Sequence, residues 1–269
     1  MFEQNESATR TQTCWIEVTG GRLHAKIWTP MTSAEDKTPI VLFHDSLGCV
    51  TLWRDFPAEL STRTGRRVIA YDRLGFGQSS VYPDRWHAGF IQDEAARFFP
   101  QVREQLGISH FIALGYSVGG IMAACCAAMF PVECEALITQ SAPACVDERM
   151  IEGLLAAKQA FSEPGQIERL AKYHGEKAAW VLSAWIDMWL SPAFTGWRIE
   201  QVATGISCPL LVIHGDQDEY GSLEHPQRLA ALTTGKSELL ILENCRHMPH
   251  REHPETVLEA IARFLAPNM

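Results

Sequence analysis

The sequence predicts an α/β chain built on a mostly parallel sheet, and three observations carry that expectation. Short apolar runs recur along the chain at Ile40–Phe43, Arg67–Tyr71, Phe111–Leu114, Glu135–Thr139, Ile206–Ile213 and Glu238–Leu242. Several of them are continuous rather than alternating, the pattern of strands buried on both faces. Between them lie segments of helical spacing, such as Leu52–Thr62 and Gln92–Leu106, as in repeated strand–helix–strand units. From Asp147 to Gln201 the strand runs stop, and the segment is helical in pattern and rich in aromatics.

The elements follow in order. Residues 1 to about 13 are polar and are expected to be loose. Cys14–Val18 and Arg22–Trp28 alternate apolar and polar about Gly20-Gly21, which predicts an antiparallel hairpin and brings the expected strands to eight. Met31–Thr38 reads as a polar loop. After the strand Phe111–Leu114 comes Gly115-Tyr116-Ser117-Val118-Gly119, and then a helical run from Ile121 to Phe130 stopped by Pro131. Pro226–Leu232 and a closing segment from Pro254 to Leu265 complete the helices, with Pro254 suited to a first turn.

The G-x-S-x-G sequence in a strand–turn–helix setting is the pattern of a nucleophile elbow, with Ser117 at its tip. A serine hydroxyl needs a base to take its proton and a third group to orient that base. The chain order Ser…Asp…His then directs attention to two strand-ending loops. One holds Asp216 and Asp218 after Gly215; the other holds His247 after the strand ending at Leu242.

Together with His44-Asp45-Ser46-Leu47-Gly48 and Asp72-Arg73-Leu74-Gly75-Phe76-Gly77-Gln78-Ser79, these motifs make the chain resemble an α/β-hydrolase of the small single-cap type, from about Trp15 to Leu265. The resemblance implies a core of residues 1–146 and 202–269 and a helical cap inserted at 147–201. It places the orienting carboxylate at the third position after Gly215, hence Asp218, and leaves Asp216 as a turn residue. It also implies an oxyanion hole from the backbone N–H groups of Ser46 and Val118. Tyr116 and the cap tryptophans Trp185 and Trp189, four residues apart on one helical face, are expected to contact substrate. His44 and the Asp72–Ser79 loop are expected to act as scaffold. Three positions depart from the family pattern. Asp45 and Arg246 stand where relatives usually have glycine, and Met248 stands where the C–C bond hydrolases commonly have tryptophan.

The implied activity is serine hydrolysis of a small to medium, largely apolar carboxylic ester, lactone or thioester, with no cofactor and no metal. C–C bond hydrolysis and cofactor-free haloperoxidase chemistry use the same residues and stay open, as does a non-catalytic ligand receptor on the same fold. Ser117 argues against relatives with an aspartate nucleophile.

Composition narrows the partners. A net charge of −9 argues against nucleic acid and anionic membrane surfaces, which are bound through Lys/Arg patches, and leaves a small molecule as the expected partner. The oligomeric state is not legible. The N-terminal stretch is acidic and polar, so no secretory signal is expected. Eight cysteines without a C-x-x-C, several inside apolar runs, suit a reduced compartment, and the cytoplasm is the expected location. Cys245, His247 and His250 raise the thought of a metal site, but Pro249 and the lack of further close ligands argue against it.

Overall fold

The computed structural model describes residues 9–32, 37–84, 86–201 and 203–266. The N-terminal stretch read for a signal, much of the loop before Pro39 and residue 202 at the expected cap boundary lie outside them.

Eight strands form one sheet: β1 (Thr9–Val18), β2 (Gly21–Pro30), β3 (Ile40–Phe43), β4 (Val68–Tyr71), β5 (Phe111–Tyr116), β6 (Cys134–Gln140), β7 (Leu210–Gly215) and β8 (Ser237–Leu242). Their order across the sheet is β1-β2-β4-β3-β5-β6-β7-β8. The β1–β2 and β2–β4 pairs are antiparallel and every other pair is parallel. The hairpin is longer than its alternation suggests. Residues 9–13, expected to be loose, pair with residues 26–30 of β2. Most of that stretch is exposed, so it lacks the apolar face that marks a strand, while Thr9, Thr11 and Thr13 supply β-branched side chains.

The helices are α1 (Phe56–Thr64), α2 (Phe90–Asp93), α3 (Phe99–Leu106), α4 (Val118–Met129), α5 (Glu148–Phe161), α6 (Gln166–His174), α7 (Ala178–Trp189), α8 (Glu224–Ala230), α9 (Pro249–Glu252) and α10 (Pro254–Phe264). The helix expected over Leu52–Thr62 is divided. A 3-10 turn at Val50–Trp53 ends at Arg54 with φ 54°, and α1 starts afresh after it. A π-helical turn at Glu94–Phe98 joins α2 to α3, with buried Glu94 accepting from the Tyr71 hydroxyl at 2.5 Å.

Strand side chains alternate between two cores. Val41, Phe43 and Ala113 face one side with α4; Ile40, Leu42, Ile112 and Leu114 face the other. Helices α5, α6 and α7 lie between β6 and β7 in the chain, and Asp147 caps α5 by accepting from the Met150 N–H at 2.8 Å. The parallel strands all deliver their C-terminal loops to one edge of the sheet, where open α/β sheets place their sites. Among the described residues no helix is long and apolar enough to cross a membrane.

Candidate active site

Ser117 sits between β5 and α4 with φ 54° and ψ −127°, a costly conformation for a residue with a side chain. The turn closes because its neighbours lack side chains. A Cβ on Gly115 would lie 2.1 Å from the Gly119 carbonyl oxygen, and one on Gly119 would lie 2.1 Å from that of Phe43. The elbow therefore needs glycine on both sides of the serine.

The structure brings Ser117, His247 and Asp218 into one hydrogen-bonded chain. His247 Nε2 lies 3.1 Å from Ser117 Oγ, and His247 Nδ1 lies 2.8 and 2.9 Å from the two carboxylate oxygens of Asp218. The carboxylate requires a proton on Nδ1, which leaves Nε2 free to accept from the serine. Asp218 is almost fully buried, and its Oδ1 also accepts from the Tyr220 N–H at 2.8 Å. Burial alone would raise its pKa, but the His247 charge and hydrogen bonds outweigh it and hold the carboxyl below its ordinary range. For His247, burial pulls downward while Asp218, Glu219 and Asp45 push upward, and the pKa is raised. Asp216 is not in this chain; its carboxylate accepts from the Cys245 N–H at 3.3 Å, as a turn residue does.

The loop after β3 is held from beneath. The Arg73 N–H donates to His44 Nε2 at 3.1 Å, so the His44 proton is on Nδ1, which donates to the Asp45 carbonyl at 2.8 Å. Burial, helped by the Arg73 charge, keeps His44 well below its ordinary pKa and neutral. Arg73 Nη2 and the Gly48 N–H donate to the same carbonyl at 2.8 and 3.2 Å. In a trans peptide the N–H points opposite to the C=O. Anchoring the Asp45 carbonyl thus turns the Ser46 N–H the other way. Asp72 organises the neighbouring loop by accepting from the Val50 and Gln78 N–H groups at 2.6 and 2.8 Å.

Above Ser117 lies a cavity of about 160 Å³. Tyr116, Trp185, Trp189, Ser46 and Val118, all singled out in the sequence, line it, and so do Ser117 and His247. Leu154, Phe161, Tyr220, Met248, Ser141 and His214 complete much of the wall. Tyr220 went unnoticed in the sequence although it follows Asp218 closely. Its ring meets His247 edge-on at 4.8 Å and Trp185 at 5.8 Å. Trp189 has a second allegiance, packing on Phe194 at 4.5 Å and Trp197 at 5.5 Å. Trp180 instead packs on Phe76 and Tyr82, away from the cavity. Arg246 is exposed and takes no part in the lining.

His250 packs among Trp53, Phe56 and Tyr116. Among the described residues Cys145, Asp147 and His225 have ligand atoms within 4.8 Å of one another. Hydrogen bonds already account for the placement of His225 and Asp147. The Ala144 N–H donates to His225 Nδ1 at 2.9 Å, and His225 Nε2 donates to Asp147, the cap of α5, at 2.9 Å.

Comparison with known proteins agrees with this architecture. A family model for the alpha/beta hydrolase fold matches residues 38–184, more than half of the chain. The proline iminopeptidase of Lactobacillus delbrueckii subsp. lactis is 29% identical over 148 residues, which cover 54% of this chain and 46% of that protein. The (lyso)-N-acylphosphatidylethanolamine lipase of Bos taurus is 37% identical over 115 residues, 42% of this chain and 33% of that protein. The matched stretch thus spans less than half the length of these curated relatives. Among solved structures, the enol-lactonase from Burkholderia xenovorans LB400 has a TM-score of 0.71 at 19% identity, covering 94% of this chain and 99% of its own. At that identity the likeness concerns the fold. The family match, the eight-stranded sheet and the serine elbow lead to one assignment: the chain belongs to the alpha/beta hydrolase fold family.

Proposed function

We propose that the protein is a serine hydrolase that cleaves a small to medium carboxylic ester, lactone or thioester with a largely apolar acyl part. The observation that carries this reading is the chain Asp218–His247–Ser117 ending in the floor of a cavity walled mostly by apolar side chains. In this reading Ser117 Oγ attacks the substrate carbonyl carbon while His247 Nε2 takes the hydroxyl proton. Asp218 keeps the imidazole in the accepting tautomer and stabilises the imidazolium that forms. The negative oxygen of the tetrahedral intermediate is met by the N–H of Val118, the first residue of α4, and by the N–H of Ser46. Both are backbone donors, and the Val118 donor adds the positive end of a helix. His247 passes its proton to the leaving group, which departs as the acyl–Ser117 bond remains. Water then attacks that ester, gives a proton to His247, and releases the acid as Ser117 regains its hydrogen.

The segment 147–201 acts as the cap in this reading. It contributes Leu154, Phe161, Trp185 and Trp189 to the wall, so an apolar group gains about 25 cal/mol per Å² removed from water there. A polyanionic substrate gains little. Rapid mixing with p-nitrophenyl butyrate tests the proposal. It expects a burst of nitrophenolate equal to the enzyme concentration or steady turnover; a binding protein without chemistry gives neither.

A further inference from the structure

We propose that a second chamber beside the candidate active site is the leaving-group subsite, and that it takes a neutral alcohol carrying a further hydroxyl. The inference rests on the serine-hydrolase reading above. The chamber has a volume of about 150 Å³, close to that of the main cavity and ample for a fragment of several heavy atoms. The two spaces share Asp45, Leu47, Tyr116 and Met248. Each shared residue is a chain neighbour of a residue placed in the chemistry: Tyr116 precedes Ser117, Met248 follows His247, and Asp45 and Leu47 flank Ser46. The partition between the spaces is therefore where the scissile bond would lie.

The side on which each half binds follows from the proton path. The leaving group must receive its proton from His247, and Met248 carries the wall from His247 into the chamber. Helices α5 and α7 line the main cavity and not the chamber, so the acyl part belongs under them and the alcohol part in the chamber.

The chemistry of the wall selects the alcohol. Asp45 lines both spaces, and burial there raises the pKa of its carboxyl. Its oxygens can accept from a donor on the ligand. Arg251 also faces the chamber. Its Nη2 donates to the Leu52 carbonyl at 2.5 Å and its Nη1 contacts Met248 sulfur at 3.6 Å, while Nε has no partner among the described residues. The chamber thus holds one acid and one base, a pairing that favours neither an ammonium nor a carboxylate on the ligand. His250 adds no charge, because burial lowers its pKa to about 3. A hydroxyl donates and accepts at once, so it satisfies Asp45 and takes a bond from Arg251 or from Tyr116. Trp53 and Leu52 cover its carbon skeleton.

Four esters of butyric acid test this: propyl, 2,3-dihydroxypropyl, choline and carboxymethyl. Wild-type enzyme should show kcat/KM at least about tenfold higher for the dihydroxypropyl ester than for the propyl ester, because a site built to bond a hydroxyl penalises its absence. The choline and carboxymethyl esters should fall below the dihydroxypropyl ester. In Asp45→Ala the dihydroxypropyl-to-propyl ratio should collapse to about one, and Arg251→Met should lower it in the same direction. If either variant does not fold, the wild-type ranking still decides. A propyl ester cleaved as well as the dihydroxypropyl ester, a charged alcohol ranked first, or a ratio that survives Asp45→Ala in folded protein overturns the subsite. Failure of every ester together with no fluorophosphonate adduct on Ser117 overturns the serine-hydrolase reading instead.

Discussion

The imidazole of His247 bridges Ser117 and Asp218, with Nε2 3.1 Å from the hydroxyl and Nδ1 2.8 Å from the carboxylate. Strands β5 and β7 and the loop after β8 deliver these groups from positions far apart in sequence. The buried carboxylate fixes the ring, and the strained backbone at Ser117 presents the hydroxyl to it.

Asp218→Asn should cost far more activity than Asp216→Asn. The first change removes the charge that holds His247 Nδ1–H and invites the wrong tautomer, an effect on the order of 10⁴-fold in kcat for a triad of this kind. The second removes a turn bond to the Cys245 N–H. Steady-state kinetics on both folded variants decide the matter. A larger loss in Asp216→Asn would show that the acid has been misassigned.

The pH profile should carry the signature of His247. Only neutral imidazole accepts the Ser117 proton, so kcat/KM should fall as pH drops through the His247 pKa. That pKa is raised by Asp218, so the acid limb should lie above the ordinary histidine value of about 6.5. Asp218→Asn should move the limb of its residual activity to lower pH. A wild-type limb well below 6 contradicts the proposed pairing.

The two cavity tryptophans should separate on mutation. Trp185 is half-buried and its ring meets Tyr220, so Trp185→Ala should reorder acyl-chain preference with modest loss of stability. Trp189 is 2% exposed and packed on Phe194 and Trp197. Trp189→Ala should cost about 3–5 kcal/mol, as large aromatic truncations in a core do. Thermal denaturation and a profile across butyrate, hexanoate and octanoate esters measure both effects. An unchanged substrate ranking in folded Trp185→Ala would mean that specificity lies elsewhere on the wall.

Much of this arrangement is legible in the chain because the signals are local. A continuous apolar run such as Ile40–Phe43 marks a parallel strand, and glycines two residues either side of Ser117 mark the turn that only they allow. The spacing from Gly215 separates Asp218 from Asp216 once the family pattern is applied. What is hidden depends on distant partners. The π-turn at Glu94 answers to the Tyr71 hydroxyl, and the strand at residues 9–13 answers to β2. Tyr220 and Met248 enter the wall because the loops after β7 and β8 converge. The chamber behind Asp45 is assembled from residues some 200 positions apart, such as Leu52 and Arg251, whose contact has no trace in either local sequence.

If Ser117 is an activated nucleophile, covalent labelling reads it directly. Wild-type protein should react with a small fluorophosphonate at one site, and peptide mapping should place the phosphonyl group on Ser117. Ser117→Ala should fold, take up no label and lose ester hydrolysis by roughly 10⁴-fold or more. A folded wild-type protein that resists the reagent, or a Ser117→Ala variant that hydrolyses esters at near wild-type rate, would contradict the account.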